Sequence, residues 1–310
     1  SMWFRNLQIY RLTRPFSLSP EQLHEQLQQR PARPCGSLEM STLGWERPLG
    51  RHGSLLTHAA SGCIMLCTRR EEKIIPAAVI REKVGDKADA LEQAEGRKVR
   101  RREREEIRDG MLQELLPKAL TRSAHTYAYI DTRNGWLLVD AAAGKRAEEL
   151  IGLLRDTLGT LPLRPLEVKE LPAAVMTGWL DRNRPPKGFQ VQDECELRDP
   201  MEEGGIVRCR RQDLDGEEIQ AHLRAGKQVV KLSLEWQERL GFVLTEELAI
   251  KRLKFLDLIQ QEAAETEAGD AAARFDADFA LMTLELGRFV PRLLELFGGL
   301  NEEAGAGPST

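Results

Sequence analysis

Ala124-His125-Thr126-Tyr127-Ala128-Tyr129-Ile130-Asp131-Thr132-Arg133-Asn134-Gly135-Trp136-Leu137-Leu138-Val139-Asp140 sets two apolar runs on either side of Asn134-Gly135. Asn-Gly between such runs is the strongest short signal for a β-hairpin, because both residues tolerate the positive φ of tight hairpin turns. An amphipathic helix follows, with Ala147, Leu150, Ile151, Leu154 and Leu158 on one side and Gly159 as its stop. Leu166–Val168 reads as a further strand.

The N-terminal quarter has the reverse order. Trp3–Leu12 is rich in strand formers, with Leu7 and Ile9 on one face and Phe4 and Tyr10 on the other. Ser19-Pro20-Glu21-Gln22 opens a helix, with Ser as N-cap, Pro at N1 and Gln reaching back from N3. Leu23 and Leu27 supply its buried stripe, and Pro31 lies past its end. Leu55–Ala60, Ser61-Gly62 and Cys63–Arg69 read as strand, turn and strand. A strand–helix–hairpin unit therefore faces a hairpin–helix–strand unit. The two are expected to share one sheet, built from residues 1–76 and 119–170 as a discontinuous central domain.

Between them, residues 77–118 carry no strand signal and are dominated by Lys, Arg, Glu, Ala and Leu, which favour helix. Apolar positions are sparse through Asp86–Arg104 and return at Ile107, Met111, Leu112, Leu115 and Leu116. The pattern predicts an exposed helical arm, turned near Gly96 and stopped by Pro117. Residues 171–310 form a third region, a base of mixed strands and helices. Ile206–Gln212 alternates as a strand, and Asp215-Gly216-Glu217-Glu218 reads as an N-cap Asp opening a short helix that ends at Gly226. Val229–Trp236, Phe242–Thr245 and Ile250–Phe255 form a meander. Phe275, Phe279, Met282, Leu286, Phe289, Leu293 and Leu296 then recur at alternating four- and three-residue spacing, the period of a helix seam. The seam either packs inside the chain or meets a second copy. The tail after Gly298-Gly299 is expected to be disordered.

The fold class is thus α+β, with mixed, largely antiparallel sheets, a helical arm insertion and a C-terminal helix. A chain of 310 residues with 41% hydrophobic and 30% charged residues suits a globular protein and not a disordered one. No run of about 18 apolar residues offers a membrane span. The start Met2-Trp3-Phe4-Arg5 lacks the layout of a secretory signal, and five scattered cysteines suit a reducing cytoplasm better than a disulfide framework. No cofactor or metal is expected. Cys63, Met65 and Cys67 share one strand side and read as core. The dispersed histidines form no nucleophile arrangement, and no glycine-rich phosphate loop is present. One nuclease-like trace exists: Glu167-Val168-Lys169 with Asp156 or Asp140 upstream, a pattern that can hold Mg²⁺ beside a base.

The net charge is −4, yet basic residues are segregated. Arg97–Arg104 holds six basic residues in eight, and a helix would align Arg97, Arg101, Arg104 and Arg108 along one face. Such groups neutralise phosphates without reading bases, although Glu103, Glu105 and Glu106 can pair with them on a merely solvated helix. Arg208, Arg210 and Arg211, with Lys227, Lys231, Lys251, Arg252 and Lys254 on neighbouring strands or turns, form a second basic cluster. An acidic chain that keeps two such clusters can focus a positive field on one surface.

Several stretches resemble the RdgC family of recombination-associated proteins, in the same order over essentially the full length. They are Trp3-Phe4-Arg5-Asn6-Leu7, Pro34-Cys35-Gly36-Ser37 with Gly44-Trp45, Leu56-Thr57-His58, Glu71-Glu72-Lys73-Ile74 and Leu115-Leu116-Pro117. Gly188-Phe189-Gln190, Lys251-Arg252-Leu253-Lys254-Phe255 and Arg274-Phe275-Asp276-Ala277-Asp278-Phe279 complete the set. The resemblance implies a cytoplasmic, nucleoid-associated protein without catalytic activity, whose horseshoe-shaped subunits close into a ring dimer. It implies binding of double- and single-stranded DNA without sequence preference, and restraint of RecA-driven strand exchange.

Carried over by position, the family's basic-Gln pair falls on Arg211-Gln212, a basic position on Lys227, and a basic pair of the arm on Arg97-Lys98. Leu120 stands where the family has a Phe at an inter-subunit contact. The DNA-binding residues expected are therefore Arg97, Lys98, Arg101, Arg208, Arg210, Arg211, Gln212, Lys227 and Lys231. The dimer contacts expected are Leu115, Leu116, Leu120, Phe275 and Phe279. Two other readings stay open: a Mg²⁺-dependent nuclease using Glu167 and Lys169, and a RecA-interacting protein that acts without encircling DNA.

Overall fold

A computed structural model describes residues 2–201, 203–265 and 269–302. The tail expected to be disordered lies, from residue 303 on, outside the described residues. In chain order the first elements are β1 (Gln8–Leu12), α1 (Pro20–Leu27), β2 (Ser41–Glu46), β3 (His58–Ala60), β4 (Cys63–Lys73), α2 (Ala77–Glu95) and α3 (Arg101–Leu115). There follow β5 (Thr121–Asp131), β6 (Trp136–Val139), α4 (Gly144–Leu158), β7 (Leu163–Pro165), α5 (Pro172–Asp181), β8 (Phe189–Arg198) and β9 (Ile206–Cys209). The last are α6 (Glu217–Arg224), β10 (Gln228–Trp236), β11 (Leu240–Thr245), β12 (Ile250–Phe255), α7 (Asp257–Glu265) and α8 (Ala271–Glu295). The class is α+β with largely antiparallel sheets and a C-terminal helix.

Two compact units are formed, Ser1–Gln26 with Arg47–Cys67 and Thr126–Thr310, and Leu27–Glu46 with Thr68–His125. Strands β4 and β5 run through both. In the larger unit the strand order is β4-β5-β6-β1-β7 with β3 on β4, so the segments before and after the arm do share one sheet. The smaller unit contains the helical hairpin α2–α3.

The hairpin that organises the first sheet forms, with a different turn. Asp131 pairs with Trp136, leaving the four-residue loop Thr132–Gly135, in which only Gly135 takes positive φ (78°). The Asp131 carboxylate explains this. It accepts from the backbone N–H of Arg133 at 3.1 Å and of Asn134 at 3.0 Å, and from Asn134 Nδ2 at 2.8 Å. This side-chain-held turn replaces the left-handed Asn expected. The tight two-residue turn occurs at Ser61-Gly62 instead (φ 50° and 80°), between the paired residues Ala60 and Cys63.

Helix α1 starts as read: Ser19 Oγ accepts from Gln22 N at 3.1 Å, and Gln22 Oε1 accepts from Ser19 N at 2.9 Å. Helix α4 buries Ala147, Leu150, Ile151 and Leu154, and its Glu148 lies close enough to β1 to raise the Tyr10 hydroxyl's pKa further after burial has done so. Four local expectations change. β1 begins at Gln8, because the residues before it bind the second sheet: Leu7 and Ile250 exchange backbone hydrogen bonds (2.8 and 3.0 Å), and Arg5 O accepts from Leu253 N at 2.7 Å. The strand expected at Leu166–Val168 is β7, three residues earlier, where Leu163 meets Leu12; Val168 makes only an isolated bridge to Leu300. Strand β9 stops at Cys209. Helix α6 is capped by Gly216, with no side-chain cap from Asp215.

The second sheet has the order β12-β11-β10-β8-β9. Helix α8 lies against both sheets of the larger unit. Phe279 meets Tyr129 of the first edge-on (5.7 Å between centroids), and Phe289 meets Phe242 (5.0 Å) and Trp236 (5.4 Å) of the second. Phe279, Met282, Leu286, Phe289 and Leu293 are fully buried, so the helix seam is spent inside this chain. On the far side of the second sheet, Lys231, Ser233 and Glu235 alternate with buried Leu232, Leu234 and Trp236, leaving a polar outer face.

Candidate nucleic-acid interface

The outer face of the second sheet gathers one of the two basic clusters. Lys231 of β10 is in register with Glu196 of β8, and Glu196 with Arg208 of β9. Opposed residues of antiparallel strands share a face, so these three side chains form a row across the sheet. Arg208 Nε donates to Glu196 Oε1 at 2.7 Å, while Lys231 Nζ and Arg198 Nη2 each lie 3.8 Å from the other oxygen. Burial alone would raise the Glu196 carboxyl. The Arg208 hydrogen bond and the charges of Lys231, Arg208 and Arg198 outweigh it and hold the group below its usual range. Three cations thus share one carboxylate, and Arg208, the outermost, keeps 69% of its side chain exposed.

A second group lies alongside. The chain leaves β9 through Arg210-Arg211-Gln212, all exposed, with Arg211 at φ 54° and Gln212 N donating to Asp193 O at 3.2 Å. The reading of Ile206–Gln212 as one continuous strand is therefore corrected. The strand ends at Cys209, and the left-handed Arg211 leads on to Gln212, which stays hydrogen-bonded to β8. Glu194 of β8 is ion-paired to Arg252, and Arg210 and Arg211 are near enough to help lower its carboxyl. Lys227 is half-buried just after α6, its N–H donating to His222 O at 3.1 Å, and Lys254 is exposed on β12. Sequence reading missed Arg198 and the organising Glu196 because it placed no strand at 189–198. The apolar alternation of Phe189, Val191, Cys195 and Leu197 was the available signal.

The arm cluster is built differently. Arg97 and Lys98 lie in the connection between α2 and α3, not on a helix, so the run Arg97–Arg104 does not present one continuous face. Gly96 takes φ 64° to end α2, and Val99 is buried with its N–H donating to Glu92 Oε1 at 2.9 Å. Arg97 is bound at 2.6 Å by both Glu103 and Glu95. Arg101 opens α3, with Glu105 at 3.6 Å, and Arg104 and Arg108 follow on the same helical side.

Of the residues expected at a dimer contact, Phe279 has no exposed surface and Phe275 is half-buried, stacked edge-on to His58 at 5.4 Å between centroids. In the smaller unit Leu116 is buried and Leu115 half-buried, whereas Leu120 is 78% exposed. Leu120 O accepts from Ile74 N at 2.8 Å, Met40 O accepts from Lys73 N at 2.8 Å, and Lys73 Nζ donates to Ser37 O at 3.1 Å. These bonds bring the backbone around Ser37–Met40, Lys73–Ile74 and Leu120 together, and Leu38, Met40, Ile74 and Leu120 are each exposed.

Glu167 and Lys169 are not on a strand: they flank the Val168–Leu300 bridge, where Glu167 O accepts from Asn301 N and Lys169 N donates to Gly299 O. Asp140 accepts from the backbone of Arg5 (3.1 Å) and Asn6 (2.9 Å), and Asp156 is exposed on α4. Among the described residues, no three His, Cys, Asp or Glu side chains stand close enough to hold a metal ion. No described helix is long and apolar enough to cross a membrane. Cys63 and Cys67 are buried in the core with Met65, and burial pushes the Cys63 thiol up to about 12.

The family model described as "RdgC: Putative exonuclease, RdgC" matches residues 2–300. A protein of Aeromonas hydrophila named "Recombination-associated protein RdgC" is 46% identical over 298 residues, covering 96% of this chain and 98% of that protein. Proteins of the same name from Pseudomonas aeruginosa (46% over 299 residues) and Yersinia pestis (43% over 298) cover 96% of this chain and 98% of their own lengths.

Proposed function

Because the chain belongs to the RdgC family, we propose that it is a recombination-associated, sequence-nonspecific DNA-binding protein without catalytic activity, which clamps or encircles DNA as a ring dimer. The observation that carries this reading is the row Arg208–Glu196–Lys231 with Arg198, Arg210, Arg211 and Arg252 around it. The sheet holds Arg198, Arg208, Lys231 and Arg252 on a fixed surface, and Arg210 and Arg211 follow directly after β9. Guanidinium and ammonium groups so held suit contact with phosphate oxygens, which carries no base sequence information. Double- and single-stranded DNA carry the same phosphates, so both are substrates for the grip. Occupying DNA on the nucleoid, in the cytoplasm, restrains RecA-mediated strand exchange.

The self-association in this reading, a ring of horseshoe-shaped subunits, draws on the exposed apolar residues Leu38, Met40, Ile74 and Leu120, which suit contact with a second copy. The arm cations Arg97, Lys98 and Arg101 contribute less to the grip, since Arg97 and Arg101 already face glutamates. The test is binding to unrelated duplexes over a range of salt. Log affinity should fall linearly with log salt, and Arg211→Glu should weaken every sequence about equally; a loss confined to one sequence would sink backbone readout.

The family description's word "exonuclease" favours a second reading, Mg²⁺-dependent cleavage, for which Glu167 and Lys169 are the residues on offer. Incubating plasmid and linear DNA with Mg²⁺ separates the two. Digestion lost in Glu167→Ala would establish the enzyme. A direct RecA interaction would instead appear as co-precipitation that survives nuclease treatment.

A further inference from the structure

Beneath the basic row, β8 and β9 place Cys195 directly opposite Cys209. Opposed residues of an antiparallel pair have Cα atoms roughly 4.5–5.5 Å apart, within the roughly 4.4–6.8 Å that a disulfide spans. Both side chains point to the core side of the sheet, Cys195 buried and Cys209 half-buried against the same cluster. Both are free thiols, facing one another across the register pair. The other three cysteines have no comparable mate. Cys63 and Cys67 are four residues apart on one strand, about 13 Å at strand rise, too far to bridge. Cys35 belongs to the smaller unit and donates to Glu71 O at 3.3 Å.

We propose that Cys195 and Cys209 are an oxidation site, a dithiol that a peroxide converts into a cross-strand disulfide tying β9 to β8. Cys209, the more accessible, reacts first. Its thiolate sulfur attacks one peroxide oxygen, the O–O bond breaks, and the departing hydroxide becomes water, leaving a sulfenic acid. The Cys195 sulfur then attacks the Cys209 sulfur. The S–O bond breaks, the second hydroxide leaves with the Cys195 proton as water, and the S–S bond forms. Two thiols have lost two electrons and two protons, and one peroxide has been reduced to two waters.

Burial, with Cys209 beside it, pushes the Cys195 thiol up to about 12, so the closing step is slow near neutral pH and accelerates as pH rises. The bond matters where it lies. β9 is a four-residue edge strand, and its next residues are Arg210 and Arg211, so oxidation fixes the base of the turn that carries them.

The test is thiol chemistry on the full chain, independent of whether DNA binds. The protein is treated with hydrogen peroxide at about pH 7 and about pH 9, quenched in acid, unfolded and alkylated. Alkylatable thiols should fall from five to three, faster at the higher pH, with one cross-linked peptide pair holding Cys195 and Cys209. A thiol reductant should restore all five. Cys209→Ser and Cys195→Ser, each first checked for cooperative melting, should form no such bond, whereas Cys63→Ser should still form it. Five thiols persisting at the higher pH, a cross-link joining other cysteines, or sulfinic acid at Cys209 without a cross-link would overturn the proposal.

Discussion

The Arg208 guanidinium donates to the Glu196 carboxylate at 2.7 Å across a register pair of β8 and β9, and Glu196 is only 4% exposed. An acid so placed both orients the basic row and subtracts from its charge. Glu196→Gln keeps the shape and an acceptor oxygen for Arg208 but removes the negative charge. DNA affinity should rise, and the slope of log affinity against log salt should steepen by about one, the contribution of one further neutralised phosphate. Fluorescence anisotropy of a labelled duplex across a salt series measures both. An unchanged slope would remove this row from the DNA-contacting surface.

The same carboxylate makes stability depend on acid. Its pKa in the folded chain lies below the unfolded value, despite burial, because Arg208, Lys231 and Arg198 favour the charged form. A depressed carboxyl stabilises the fold above the unfolded pKa of about 4.3 and loses that contribution as pH falls through the folded value. Glu39, hydrogen-bonded to Arg33 and to Gly36 N, is held at about 2 and titrates in the same direction. Urea midpoints should therefore drop from about pH 5 to about pH 3. The drop should be smaller in Glu196→Gln; an equal drop would mean that Glu196 does not couple to folding.

Local chemistry made much of this fold legible. The Ser19–Gln22 capping box, the arm with its break at Gly96 and the seam of α8 are short-range patterns, and each is found where its residues place it. What escaped was decided at long range. Trp3–Leu7 has strand chemistry, but Leu7 spends its hydrogen bonds on Ile250, 243 residues away. Phe279 has the spacing of a coiled-coil knob, yet its partner is Tyr129 of the same chain. The candidate site was half visible for the same reason. A run of arginines marks Arg208–Arg211, but an isolated Glu196 gains meaning only from the register that puts it between Arg208 and Lys231.

Arg239 and Glu285 form the pair on which the base should depend most. Arg239 Nε and Nη2 donate to the two Glu285 oxygens at 2.8 and 3.0 Å, with Glu285 1% exposed on α8. Arg239→Ala leaves that carboxylate buried without its partner, and should cost about 3–5 kcal/mol in denaturant unfolding. Replacing both, as Arg239→Met with Glu285→Leu, should recover most of the loss, since the penalty comes from the stranded charge. If the double variant is no more stable than Arg239→Ala, the cost lies in packing and not in the charge.

Leu120 allows the proposed self-association to be tested without disturbing the core. Its side chain is 78% exposed, so substitution should change folding by only about 0.5 kcal/mol. Placing a charge there desolvates it against apolar surface in any contact, whereas a ring adds buried apolar area. Leu120→Asp should weaken dimerisation by at least about tenfold, the equivalent of about 1.4 kcal/mol, and Leu120→Phe should strengthen it. Sedimentation equilibrium over a concentration series reads both directly. Opposite shifts in the two variants, at unchanged melting temperature, assign the patch to the subunit contact, while identical association constants would mean that copies of this chain meet elsewhere.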